Sequence, residues 1–315
     1  MRNAVVTGLA VAAFLLTSPA LPAAAQIRDV ILAKCNDVAN TKVAIDTCTA
    51  LIDSGQLPGK NLSAAYTNRG LAYYEQADYD HAIADFDAAL KNEPSDVDAF
   101  NDRGLAYYQK GDDKRAIADY DTAITLRPRF GSTFSNRGSA YIDKGDYDRA
   151  VADFDAAVRL NPKDAVAVYN RGSAEFLAGR FTLAVSDYAR TLGIDPHQPY
   201  AVLWMHLSRE RAGQDDRTEF AQHAAALDAS KWPGPVVAFY LGKQTATQVA
   251  AAAASGDSKT QRGSKCEAAF YIGEDAALRH NPIAAARWFK RAVAICPHSF
   301  IEYHGALRGL DRAAK

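Results

Sequence analysis

Four columns of residues recur in unbroken 34-residue step, and that period leaves the chain very few architectures. Gly70, Gly104, Gly138 and Gly172 are 34 apart, as are Ala82, Ala116, Ala150 and Ala184, and Pro94, Pro128, Pro162 and Pro196. An aromatic follows each alanine by four: Phe86, Tyr120, Phe154, Tyr188. Within a period, apolar residues recur at three- and four-residue spacing over 66–75 and again over 79–91, which predicts two amphipathic helices. Gly111, Gly145 and Gly179 stand in the breaks where a helix C-cap belongs, and Asp78, Asp112 and Asp146 stand where the next helix needs an N-cap. Each second helix stops near its proline. One such pair cannot bury its apolar face alone, so the units stack into an all-α solenoid.

Glycine, aromatic, alanine and proline at these offsets resemble the tetratricopeptide repeat. The resemblance implies a right-handed superhelical solenoid with a concave inner face, and a binding surface more often than an active site. Beyond Pro196 the pattern erodes, yet Gly273, Ala285, Phe289, Ala292 and Pro297 keep the internal offsets, with Gly273 lying 101 residues past Gly172. The expected organisation is an export signal at 1–25, a degenerate capping repeat at 26–62 and four regular repeats at 63–198. Two eroded repeats follow at 199–265, ending in a flexible loop at 255–264, then a further repeat at 266–299 and a capping helix at 300–315. The total is about seven helix pairs plus the cap.

Arg2, an apolar stretch over 4–16 and Ala23-Ala24-Ala25 make up an export signal with a cut before Gln26. The apolar stretch is short of the ~20 residues of a membrane span, and the cut site has no cysteine to carry a lipid. A soluble periplasmic protein is expected, with no membrane span. Export gives the four cysteines a redox meaning: two disulfides, for which three pairings exist. In the repeat frame Cys35 and Cys48 replace facing aromatics if Ala44 takes the alanine column. Cys266 falls at the start of a first helix and Cys296 at the end of its partner. The frame therefore favours Cys35–Cys48 and Cys266–Cys296, with free buried thiols as the alternative.

Residues 63–198 carry 16 Lys/Arg against 22 Asp/Glu, a net of −6, whereas 199–315 carry 15 against 11, a net of +4. An acidic middle argues against nucleic acid as a partner. Nothing reads as catalytic: phosphate-cradling loop, nucleophile elbow and zinc signature are all missing, and the seven histidines are scattered. No cofactor and no metal is expected. Arg69, Arg103, Arg137 and Arg171 precede the column glycines, and Asp85, Asp119, Asp153 and Asp187 precede the second-helix aromatics, an arrangement that suits a structural ladder of ion pairs.

Asn68, Asp102, Asn136 and Asn170 stand two residues before each glycine. The tetratricopeptide resemblance implies that this column lines the concave face, where asparagine amides hydrogen-bond the backbone of an extended peptide. Asp102 departs by losing the donor. Leu71, Tyr74, Leu105, Tyr108, Ile142 and Phe176 lie further along the same helices and complete an apolar, aromatic groove. The alternative is that the asparagines only bridge repeats. A carboxylate-clamping groove needs lysines where Thr67, Asn101, Ser135 and Tyr169 stand.

Three blocks, 240–242 (YLG), 266–274 (CEAAFYIGE) and 300–307 (FIEYHGAL), resemble the family of the bacterial lipoprotein NlpI. That resemblance implies a self-associating periplasmic adaptor, in the simplest case a homodimer, bringing a processing protease to cell-wall hydrolases. Two functions of other classes stand beside the adaptor. One is a structural subunit of a periplasmic homo- or hetero-oligomer; the other is an enzyme using the carboxylates near Glu267 and Glu274.

Overall fold

The computed structural model describes residues 35–37, 40–255 and 258–314; the expected export signal lies outside them. The described residues form sixteen helices and no strand. After α1 (Thr41–Asp53) come four pairs in the 34-residue frame: α2 (Gly59–Glu75) with α3 (Tyr79–Asn92), α4 (Val97–Gln109) with α5 (Asp113–Leu126), α6 (Gly131–Asp143) with α7 (Tyr147–Leu160), and α8 (Ala165–Leu177) with α9 (Phe181–Ile194). Two less regular pairs follow, α10 (Pro199–Arg211) with α11 (Arg217–Ala225) and α12 (Gly234–Tyr240) with α13 (Ala246–Ala254). A seventh pair, α14 (Ser258–Leu278) with α15 (Pro282–Ile295), precedes α16 (Ile301–Ala313).

The expected caps are in place. Asp78, Asp112 and Asp146 accept from the third residue of the helix they open. In the turns between paired helices Gly111, Gly145 and Gly179 adopt φ of +76°, +73° and +81°, and the first copy forces Ala77 to +58°; the last of these turns leads into Arg180, which makes no side-chain cap. The column glycines allow close approach: a Cβ on Gly104 would meet the Tyr120 ring at 2.6 Å. A leucine there would overpack the hairpin by a few kcal/mol, ~1–3 by the usual cost.

The arginine ladder is present and binds more than one repeat. Arg103 donates through Nε and Nη2 to Asp119 at 2.8 and 2.7 Å, while its Nη1 reaches Asp87 of the preceding repeat at 2.5 Å. Arg137 repeats this with Asp153 and Asp121, and Arg171 with Asp187 and Asp155. Arg69 pairs with Asp85 and turns its third nitrogen to Thr49. Hydrogen bonding to these carboxylates raises the arginine pKa values further, so the forks stay charged.

Both disulfides form as the frame favours, Cys35–Cys48 and Cys266–Cys296. Two expectations fail around the second. Residues 258–264 are the first turns of α14 and not a flexible loop, so Cys266 lies well inside its helix. Tertiary contacts override the weak local signal: Arg262 Nε donates to the Ile295 carbonyl at 3.0 Å, and Gly263 lies against the Phe300 ring.

The two halves of the molecule are packed differently. The regular repeats bury small separate clusters, such as Ala82, Phe86 and Ala106, or Tyr107, Ala116, Tyr120 and Ala140. From α8 onward one continuous core runs to α16. At its centre the fully buried Trp204 stacks on Phe270 (5.1 Å) and meets the edge of Phe176 (4.8 Å).

Candidate functional site: the concave groove

Helices α2, α4, α6 and α8 are the first members of their pairs and neighbour one another in turn, so the 34-residue period brings equivalent positions into one row along them. In the first two copies the row is Asn68, Leu71, Tyr74, Asp102, Leu105 and Tyr108, all half-buried. The Tyr74 ring centre is 5.5 Å from that of Tyr79. Tyr108 and Asp143 both line the cavity beside α16, and burial with the nearby Asp143 pushes the Tyr108 hydroxyl up. Burial pushes the Asp102 carboxyl up to about 6, opposed by the Asn101 amide that donates to it at 3.1 Å.

The second two copies differ. Asn136 is committed to the protein itself, with Nδ2 donating to Asn101 Oδ1 at 3.0 Å beside Thr133 Oγ1 at 3.1 Å. Asn101 thus joins Asn136 to Asp102 in a chain between neighbouring repeats. Phe176 lies at 1% exposure between Phe181 and Trp204, as part of the core and not of a surface. Ile142 and Asn170 face the protein's own C-terminal helix.

That helix, α16, does more than cap the last pair. It packs on α14 and α15 and also reaches back to α8. Ile301 lies on the cluster of Ile142, Phe154 and Leu177. His304 Nε2 is 3.0 Å from Asp143 Oδ1 and 2.8 Å from the His298 carbonyl oxygen. Arg308 Nε donates to the Leu177 carbonyl at 3.2 Å, with its guanidinium 5.8 Å from the Tyr147 ring centre. Between α16 and the repeats remains a cavity of about 210 Å³, lined by Tyr108, Ile142, Asp143, Asn170, Ile301 and His304 among others. Of the residues expected in the groove, Asn68, Leu71, Tyr74, Asp102 and Leu105 are half-buried on α2 and α4, Tyr108, Ile142 and Asn170 line the cavity beside α16, and Asn136 and Phe176 are taken into internal contacts. The sequence reading missed Asp143, at the end of α6, and Ile301 and His304, whose only signal was the mix of apolar and polar residues on a helix expected to be a plain cap.

The carboxylates weighed for catalysis have structural partners. Glu274, fully buried, accepts from Arg211 of α10 and from Arg312 of α16 at 2.5 Å. Glu267 accepts from Tyr200 Oη at 3.0 Å and Trp232 Nε1 at 2.7 Å. Burial, followed by the nearby Glu267, pushes the Glu302 carboxyl well above the ordinary carboxylate range. Among the described residues no helix is long and apolar enough to cross a membrane.

Comparison with known proteins agrees with this geometry. The tetratricopeptide repeat family matches over residues 67–129 and 136–199. A tetratricopeptide repeat protein from Parabacteroides merdae superposes with a TM-score of 0.57 at 16% identity, over 92% of this chain and 100% of its own. The C-terminal part of a TPR repeat-containing protein from Cytophaga hutchinsonii gives 0.53 at 19% identity, over 86% and 95%. Pseudomonas aeruginosa pilF gives 0.51 at 17% identity, over 78% and 96%. At these identities the likeness is one of fold. The matched segments contain most of the helices of the four regular pairs, and the described residues form an all-helical solenoid of tetratricopeptide-type helix-turn-helix units.

Proposed function

We propose that this protein is a non-catalytic periplasmic adaptor that binds extended peptide segments of cell-envelope proteins in the open half of its concave groove. The observation that carries this reading is the half-buried row Asn68, Leu71, Tyr74, Asp102 and Leu105, which ends at Tyr108 on the rim of the cavity beside α16. It alternates amide or carboxyl groups with apolar and aromatic surface, which suits a peptide backbone and every second or third side chain along it. The covered half, where α16 lies over Ile142 and Asn170, sets one end of the peptide track. Two disulfides suit an oxidising compartment such as the periplasm.

A protease and cell-wall hydrolases are the partners we favour, on the likeness of three sequence blocks to the NlpI family. Two of those blocks, 266–274 and 300–307, supply buried residues such as Phe270, Tyr271, Glu274, Glu302 and Ala306. They speak for a shared C-terminal packing more than for a shared partner surface, so partner identity rests on capture experiments.

The groove itself is tested with the variant Asn68→Ala/Tyr74→Ala/Leu105→Ala against an array of extended peptides. At least a tenfold loss of affinity, ~1.4 kcal/mol, is expected with the helical circular-dichroism spectrum unchanged. Affinity equal to that of the parent would remove the groove from consideration and favour the outer surface of an assembly subunit.

A further inference from the structure

The 34-residue frame gives out at α10, and there three metal-ligating side chains converge. His206 and Glu210 are one turn apart on α10 and so share a face. The turn after α10 brings Asp216 back to the same place. Asp216 occupies the N-cap position of α11, where an aspartate ordinarily accepts from the first turn of its helix, yet it makes no such bond. Its side chain instead points inward, with Oδ1 2.8 Å from His206 Nδ1. One ligand atom of each of His206, Glu210 and Asp216 lies within 4.8 Å of the others.

Burial makes this convergence demanding. His206 is 6% and Asp216 3% exposed. The imidazole is held in a slot between Phe220, stacked at 4.3 Å, and the edge of Tyr240 at 5.0 Å. The second oxygen of Asp216, Oδ2, is buried with no hydrogen-bond partner. Such a carboxylate oxygen is costly to leave bare, ~1–3 kcal/mol or more. No arginine relieves it: Arg209 is engaged by Glu219 and Arg211 by Glu274. Among the described residues neither Lys nor Arg pairs with Glu210 or Asp216.

We infer that His206, Glu210 and Asp216 form a site for a divalent transition-metal ion, with zinc as the best match. One imidazole nitrogen and two carboxylates form a borderline donor set that suits Zn²⁺ and its first-row neighbours, whereas Ca²⁺ and Mg²⁺ select all-oxygen shells. The ion neutralises both carboxylates and supplies the missing partner for Asp216 Oδ2. Tetrahedral zinc with bonds of ~2.0–2.1 Å sets its donors ~3.3 Å apart, so a small inward movement of the three side chains completes the shell, with a fourth position left for water. The ion then ties α11 to α10. α11 has nine residues, too few to be stable by itself. The site thus acts as a clasp where repeat packing weakens. All four cysteines are in disulfides, so thiolates do not compete for the metal.

The experiment uses the untagged protein with its disulfides intact, stripped with chelator and equilibrated with ZnCl₂. Metal content after dialysis, titration calorimetry and thermal unfolding are read for the parent, Glu210→Gln and Asp216→Asn. The expected result is one tightly held equivalent that raises the unfolding midpoint of the parent. Both variants should bind at least tenfold more weakly and lose the rise. Glu210 is only half-buried, so Glu210→Gln decides the matter by itself if Asp216→Asn does not fold. A parent that retains no zinc overturns the site and leaves a plain His206–Asp216 pair. Zinc held equally well by parent and Glu210→Gln overturns it too, by placing the metal elsewhere.

Discussion

At the scale of single residues, Asp102 is where the groove departs most from its neighbours, because burial lifts its carboxyl to about 6. An unfolded aspartate titrates near 3.8, so between these values the folded protein holds a proton that the unfolded chain has released. Stability therefore falls as pH rises from about 4 to about 6, and levels off above. The protonated carboxyl also regains the donor that the asparagines of the column possess. Peptide affinity is expected to increase as pH falls from 7 to 5, and Asp102→Asn should bind equally at both. Fluorescence anisotropy of a labelled peptide at the two pH values decides this. Affinity of the parent unchanged between them would take Asp102 out of the peptide contact.

At the scale of elements, the ladder of arginine forks sets the register of neighbouring repeats. Asp153 has a 7% exposed side chain and depends on Arg137, while Asp121 on the other side of the same fork is 54% exposed. Arg137→Ala leaves Asp153 without its partner and is expected to cost ~3 kcal/mol, the lower end for breaking a buried pair. Asp121→Ala, by contrast, should cost no more than ~0.5 kcal/mol. Urea midpoints of the two variants measure the difference; equal losses would mean that the fork does not distinguish its two carboxylates. Much of this was legible beforehand. The matched Arg and Asp columns, the glycines against the aromatics and the capping aspartates are local rules repeated four times, so chance agreement is small. What could not be read was contact between distant segments. Nothing in the composition of 258–264 shows that Phe300 and the Ile295 carbonyl extend α14 backward. Nor does a row of groove positions reveal that Phe176 is claimed by Trp204 and Asn136 by Asn101. His206 and Asp216 carry no signature spacing either; only a side chain that declines to cap its helix singles them out.

At the scale of the whole molecule, separate small clusters in the repeats contrast with one continuous core from α8 to α16. Solenoid repeats open from their ends, since each is held only by its neighbours. Hydrogen exchange should show protection falling stepwise from α8 toward α2, while α10, α14 and α15 exchange together and last. The Cys266–Cys296 bridge, closing a 30-residue separation, adds ~3–4 kcal/mol to that last unit by the chain-entropy account. Uniform protection along the whole chain would contradict this division.

The return of α16 to α8, through Arg308 on the Leu177 carbonyl and His304 on Asp143, has a further consequence. It closes a ring of helices whose circumference is set by the number of pairs between α8 and α16. A 34-residue module inserted inside that ring would pull its closing contacts apart. One inserted before α6 would only lengthen the proposed peptide track. The protein therefore has a sealed end of fixed size and an open end at which evolution, or an engineer, is free to change its reach.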